Sequence, residues 1–241
     1  MRLVVTTWNL QGYAGVDHEA VAGHLRGAAS DVVFLQEVQR QQARRLARAL
    51  SARTLAWRFK HRTLPHPAEG MAIVGVTRPV ESAGAIALTA RWRPWSWRRR
   101  IFQLAELGDL TLANVHLTPH GDAAARAREV AKILHRLPKG DEGRLVAGDF
   151  NALPDATLLV ELAAADLRDA WTGAPVVDDE VGPTNWSSSR RAGPPDQRLD
   201  YVWVSPEVSV TGVRVPRFGD SGFEGYPLLS DHLPLTVDLE I

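Results

Sequence analysis

Two hydrophobic rhythms run along this chain. Residues 3–8 and 31–35 are nearly continuous apolar runs of strand length, ending in polar residues at Asn9 and at Gln36-Glu37. Between them, residues 17–29 place Val21, Leu25 and Ala28 on one helical face, behind Asp17, whose side chain suits a helix N-cap. That is a strand, helix, strand unit. Residues 39–52 repeat the helical period, with Leu46, Ala49 and Leu50 inward and Arg44, Arg45 and Arg48 toward solvent. From 55 to 116 the helical period disappears. Short β-prone runs at 55–60, 71–77, 84–90, 101–107 and 110–116 alternate with turn signals such as Arg78-Pro79 and Gly108-Asp109, which predicts an antiparallel meander. A helix over 122–137 follows, with Val130, Ile133, Leu134 and Leu137 in one stripe, then a strand at 144–147 and a helix at 155–165. Residues 172–198, rich in Gly, Pro, Ser and Asp, read as loop, and strands close the chain near 201–204, 208–215 and 235–239. Two similar halves of strands and helices predict an α/β fold of two sheets packed face to face, with helices outside.

Composition narrows the function more than the fold. At 241 residues and 45% hydrophobic, with no linker between self-contained halves, the expectation is one domain over 1–241. Twenty-eight basic residues balance 28 acidic ones, which argues against gripping nucleic acid through overall positive charge and leaves room for a local basic groove. Arg supplies all but three of the cations, and guanidinium is the better bidentate phosphate partner, although an Ala- and Arg-rich composition bias explains the count equally well. The absence of Cys excludes disulfides, thiolate metal sites and cysteine nucleophiles. No segment approaches the roughly 20 apolar residues of a membrane helix, so the expectation is a soluble, cytoplasmic protein, and nothing points to an obligate protein partner.

The candidate chemistry sits at expected strand ends. Glu37, after Phe34-Leu35, is the first choice for a magnesium ligand, and Asn9 lies beside it if the first two strands are parallel neighbours. In Gly148-Asp149-Phe150-Asn151, Gly allows a sharp exit, and strand alternation puts Asp149 and Asn151 on one side, flanking a phosphate; an Asx turn also fits these residues. In Ser230-Asp231-His232-Leu233-Pro234, the two central side chains project oppositely, one toward a metal and one toward substrate. His232 needs an orienting acceptor, and Asp200, ahead of a strand, is the candidate. His116, with Glu69 as partner, serves as acid or phosphate ligand. These groups together suit phosphate-ester hydrolysis. Residues 91–100 hold five Arg and three Trp, a candidate substrate clamp through Trp95, Trp97 and Arg98, or else a hairpin whose indoles cover a sheet edge. Trp186 is a second candidate substrate wall.

The ordered set Trp8-Asn9, Gln36-Glu37, Asn114-Val115-His116-Leu117, Gly148-Asp149-Phe150-Asn151, Arg198-Leu199-Asp200-Tyr201 and Ser230-Asp231-His232-Leu233-Pro234 resembles the endonuclease/exonuclease/phosphatase family, the deoxyribonuclease I-like superfamily. The resemblance implies a four-layered αββα sandwich of two mixed, mainly antiparallel β-sheets with helices on the outer faces. It implies a Mg2+ or Mn2+ cofactor and cleavage of phosphodiesters or phosphomonoesters. It implies Glu37 as metal ligand, Asn9 and Asp231 near the metal, Asp149 and Asn151 around the phosphate, and His232 with Asp200 activating water. His232 is then the first choice of general base and Asp149 the second. His116 stands where exonuclease III-like abasic-site enzymes carry Tyr, and Val38-Gln39 follows Glu37 where those enzymes carry a Lys. That makes the chain more similar to the deoxyribonuclease I, sphingomyelinase and general phosphatase branches, and Glu69 stands where deoxyribonuclease I-like enzymes place an acid that supports the His. The leading expectation is cleavage of nucleic-acid phosphodiesters. The rivals are a small or lipid phosphate, such as an inositol phosphate or a sphingomyelin-like lipid, and a catalytically silent binding member.

Overall fold

The structure is a computed structural model and describes residues 1–62, 65, 67–89, 99–119, 121–139, 142–174, 182–191 and 193–241. The first half runs β1 (Arg2–Asn9), α1 (His18–Gly27), β2 (Val32–Gln39), α2 (Arg40–Ala49), β3 (Thr54–His61), β4 (Glu69–Gly75) and β5 (Glu81–Ala87). It continues with β6 (Ile101–Leu107), β7 (Leu110–His116), α3 (Ala123–Arg136), β8 (Gly143–Asp149), α4 (Thr157–Ala164), β9 (Arg168–Asp169) and α5 (Ala170–Gly173). The last elements are β10 (Asp200–Val204), β11 (Ser209–Arg214), α6 (Tyr226–Leu229) and β12 (Leu235–Glu240). Two six-stranded sheets result, ordered β11-β12-β1-β2-β4-β3 and β5-β6-β7-β8-β10-β9.

Alternation along the strands produces four layers. In β1 and β2, Leu3, Val5, Val32 and Phe34 face one way and meet Leu110, Leu112, Leu145 and Ala147 of β7 and β8 in a core between the sheets. The residues between them face the other way. Trp8, Val33 and Leu35 pack under α1 and α2 through Val21, Leu25, Ala43 and Leu46, while Ala113, Val115 and Val146 pack under α3 and α4 through Val130, Ile133, Leu158 and Leu162. This is the αββα sandwich, in mixed sheets. The expected N-cap forms, with Asp17 Oδ1 accepting from the backbone N–H groups of Glu19 and Ala20.

Among the described residues each sheet contains one parallel pair, β1 with β2 and β7 with β8, and all four strands end on the same side of the molecule, where Asn9 meets Asp149 and Glu37 meets His116. Asn9 stands opposite Gln36, and His116 opposite Asp149. Two local distortions adjust these ends. Gly148 has φ +144, and a Cβ there would lie 2.0 Å from the Val115 carbonyl, so only glycine lets β8 approach β7 this closely. In β2 the pairing with β4 slips between Leu35 and Val38, and Glu37 sits in this bulge at φ +50.

Several boundaries differ from the sequence reading. β2 does not stop at 35 but runs through the bulge to Gln39, because β4 keeps pairing with it beyond Glu37. Ala43 and Ala47 join Leu46 in the buried face of α2, and Ala49 packs against it only partly buried. β5 lies earlier than 84–90, and the short elements β9, α5 and α6 were not foreseen, being too brief to leave a periodic signal.

Candidate active site

The parallel strand ends bring Asn9, Glu37, His116 and Asp149 together, and the antiparallel partner of β8 adds Asp200 opposite Asp149. Asp149 is the hub. Its Oδ2 accepts from Asn9 Nδ2 at 3.1 Å and lies 3.7 Å from His116 Nε2 and 3.8 Å from His232 Nε2. Its Oδ1 accepts from the backbone N–H of Asn151 at 2.8 Å. Glu37 Oε1 stands 3.7 Å from His116 Nε2, across the same space.

His232 is held from three sides. Its Nδ1 bonds Asp200 Oδ2 at 2.8 Å, its carbonyl accepts from the buried Trp8 indole, and its backbone N–H donates to Ser230 Oγ. Asp200 is itself placed by Thr184, whose Oγ1 accepts from the backbone N–H groups of Leu199 and Asp200. The loop carrying Thr184 and Asn185 also braces the chain on either side of His232, through Leu233 N–H to the Thr184 carbonyl and Asn185 Nδ2 to the Asp231 carbonyl.

Burial and crowding of charge tune these groups in opposite directions. Glu37 is pushed up to about 7 by burial, then by the charges of Glu69, Asp149 and Asp231, against the opposing pull of Lys60. Asp149 is pushed up to about 6, chiefly by burial and by the charge of Asp200. Burial alone would lower His232, but the carboxylates of Asp200, Asp149 and Asp231 outweigh it and raise the imidazole to about 10. His116 moves the other way, well below the ordinary histidine value, because burial acts together with the cations of Lys60 and Arg100.

Other placements differ from the sequence reading. Asn151 does not share a face with Asp149 through strand alternation, because β8 ends at Asp149 and Asn151 turns at φ +49. Its amide Nδ2 donates to the Leu117 carbonyl at 3.1 Å. Both amide atoms of Asn9 are engaged, the nitrogen with Asp149 and the oxygen with Gln11 N–H. Asp231 Oδ2 accepts from Gln11 Nε2 at 2.8 Å. Glu69 does not reach His116: the ammonium of Lys60 stands between them, 2.5 Å from Glu69 Oε1 and 3.1 Å from His116 Nδ1. Trp186 is not an open substrate wall. It is 5% exposed, packs with Phe223 and Leu233, and donates its indole N–H to the Gly193 carbonyl. Trp95, Trp97 and Arg98 lie outside the described residues. The described end of that run turns inward, with Arg100 buried and its Nε on the Leu117 carbonyl.

Lys60, Gln11 and Asn114 are the participants that sequence reasoning missed. For Lys60 a signal existed: period-two alternation puts it on the same face as buried Ala56. Asn114 stood in the motif Asn114-Val115-His116-Leu117 but was given no role, and Gln11 carried no signal, because what each does depends on partners in distant segments, Gln36 for Asn114 and Asp231 for Gln11.

Residues 6–232 match the model of the endonuclease/exonuclease/phosphatase family. The chain belongs to the endonuclease/exonuclease/phosphatase family. This is a family of phosphate-ester hydrolases, and the convergence around Asp149 is this member's candidate catalytic centre. No curated protein sequence matches the chain. Among solved structures, an endonuclease/exonuclease/phosphatase from Beutenbergia cavernae is 25% identical over all of this chain and 72% of that one, with a TM-score of 0.78. A mannosyl-6-phosphatase from Bacteroides thetaiotaomicron is 19% identical over 99% of this chain and 100% of that one, with a TM-score of 0.76. D. rerio TDP2 bound to a single-strand DNA product is 16% identical over 100% and 99%, with a TM-score of 0.69.

The donor set fits a hard divalent cation. Among the described residues, no three His, Asp or Glu side chains form a cage that would hold a metal unaided. Magnesium does not need one, since it keeps several waters and takes one or two carboxylates. Glu37, whose carboxylate several negative neighbours destabilise, is the group whose charge a cation would relieve. Asp231, on the Gln11 side, is the second.

Proposed function

We propose that this family member is a divalent-metal-dependent phosphodiesterase with nucleic acid as its leading substrate class. Convergence of Asn9, His116 and His232 on a single oxygen of Asp149 carries the reading, because it leaves a space bounded by one buried carboxylate and two imidazoles. Glu37 and Asp231 would hold the cation, which when bound supplies charge neutralisation at the phosphate and an activated water. Asp149, raised to about 6, is the better acceptor for a water proton. His232, raised to about 10, keeps its proton through neutral pH and serves as a charged donor to a phosphoryl oxygen. This reverses the order expected from sequence, His232 first and Asp149 second.

Tyr13 supports a nucleic-acid substrate. It is 57% exposed beside the site, and its hydroxyl accepts from the same Gln11 amide that bonds Asp231, so its ring is a platform for stacking a base. The neutral charge balance supports a second reading, a small phosphomonoester or a lipid phosphate, because such a ligand needs no extended cationic track. The test is a panel of plasmid DNA, single-stranded DNA, RNA, inositol phosphates, sugar phosphates and sphingomyelin, with Mg2+ or Mn2+ and then with chelator. DNA turnover that chelator abolishes and metal restores is the expected result. Turnover of every substrate unchanged in chelator would remove the metal from the proposal, and sugar-phosphate turnover alone would replace the substrate class.

A further inference from the structure

The two imidazoles of the site are backed by groups of opposite charge. Behind His232 Nδ1 stands a carboxylate, Asp200, at 2.8 Å. Behind His116 Nδ1 stands an ammonium, Lys60 Nζ, at 3.1 Å. A lysine ammonium has three donors and no acceptor, so the ring nitrogen facing it must accept. A proton on His116 Nδ1 would set two donors against each other at hydrogen-bond distance, inside a site where Lys60 is 1% and His116 2% exposed. Lys60 is held in turn by its ion pair with Glu69, whose side chain is only 15% exposed, and by β3, which pairs with β4 so that His61 lies opposite Glu69.

We propose that Lys60 is a positioning residue that fixes His116 as the tautomer protonated on Nε2, making His116 a hydrogen-bond donor to the substrate's phosphoryl oxygen and not a proton acceptor. Nε2 is the nitrogen that faces Glu37 Oε1 and Asp149 Oδ2, both at 3.7 Å, so the donor points into the space where the phosphate would lie. Glu69 then acts on His116 only through Lys60. A carboxylate directly behind the ring would pull the proton to Nδ1 and leave Nε2 as an acceptor; an intervening ammonium inverts that polarity. The role in hydrolysis rests on the phosphoesterase reading above, whereas the tautomer is a property of the resting protein.

The test separates the two. Long-range proton–nitrogen NMR on 15N-histidine-labelled protein reads the tautomer of each of the eight histidines, with His116→Asn assigning the signal. The wild type is expected to show His116 protonated on Nε2 and unprotonated on Nδ1. The paired variant Lys60→Met with Glu69→Gln leaves no buried lone charge; it should move the proton partly to Nδ1 and lower kcat by about ten- to a hundredfold, with KM changed less than about threefold. Lys60→Arg keeps a donor behind the ring and should restore both. A wild-type signal with the proton on Nδ1, or a paired variant with unchanged tautomer and kcat, overturns the proposal. If the paired variant does not fold, the wild-type and Lys60→Arg spectra still decide the tautomer. The stated tautomer in a wild type that turns over no phosphoester would overturn the phosphoesterase reading and leave the assignment standing.

Discussion

Asn114→Leu is the most demanding perturbation of the frame that holds the site. Asn114 is wholly buried on β7, yet its side chain crosses to the other sheet. Its Nδ2 donates to the Leu35 carbonyl at 3.1 Å and to the Ala72 carbonyl at 3.0 Å, and its Oδ1 accepts from Gln36 Nε2 at 2.7 Å. Leu35 and Ala72 are the last pair before the β2–β4 register breaks, so one amide from the facing sheet pins the edge of the bulge that carries Glu37. Leucine has nearly the same size and none of the polarity. Three buried groups lose a partner at ~1–2 kcal/mol each, the lower part of the usual range because Gln36 Nε2 keeps its bond to Thr7, offset in part by ~1–2 kcal/mol from leucine's own burial, for a net loss of about 3 kcal/mol. For a domain of this length that corresponds to a fall in Tm of roughly 6–12 °C. Urea and thermal unfolding measure the stability, and turnover assayed well below Tm should fall as well, because Glu37 loses its register. Thr7→Val is the control: it removes one bond at the edge of the network, Gln36 Nε2 to Thr7 Oγ1 at 3.0 Å, and should cost only about 1 kcal/mol. A loss below about 1 kcal/mol for Asn114→Leu, or one no larger than that of Thr7→Val, would refute the reasoning.

Two further perturbations address the chemistry. Asp200→Asn keeps the shape behind His232 but removes the charge that does most to raise it, so kcat should fall about 10²- to 10⁴-fold and the alkaline limb of the rate profile should move to lower pH. A profile that moves to higher pH, or a loss under about fivefold, would show that His232 need not hold its proton. Cation binding should depend on pH in the sense set by Glu37: below about 7 the carboxyl is protonated and must release a proton to bind, and above that value it is already charged. Calorimetric Mg2+ titrations in buffers of different ionisation enthalpy should find about one proton released and up to tenfold weaker binding per pH unit at pH 6, with neither effect at pH 8. Equal affinity without proton release at the lower pH would take Glu37 out of the ligand set.

What the sequence determined by itself was the longer periodic elements and the local cap. Nearly continuous apolar runs at 3–8 and 31–35 gave two buried strands, the 3.6 period gave the helix between them, and Asp17 marked its start. A strand, helix, strand unit makes a parallel pair, and a parallel pair puts Asn9 beside Gln36-Glu37, so one corner of the site was legible before any coordinates. The strands that deliver His116 and Asp149 were legible too, at 110–116 and 144–147, although their parallel pairing emerged only in the fold. The tertiary structure decided how these corners face one another, and thereby what each group is. Glu37 at φ +50 depends on a bulge pinned by Asn114 from the opposite sheet, and no pattern near residue 37 encodes a partner 77 positions away. Alternation marks Lys60 as an inward-facing strand position, but its role is decided only when the sheets close and place it between Glu69 and His116. The physical reason is range: periodicity follows from neighbours along one backbone, whereas the tautomer of an imidazole and the charge of a buried carboxyl depend on the groups within a few ångströms across the fold.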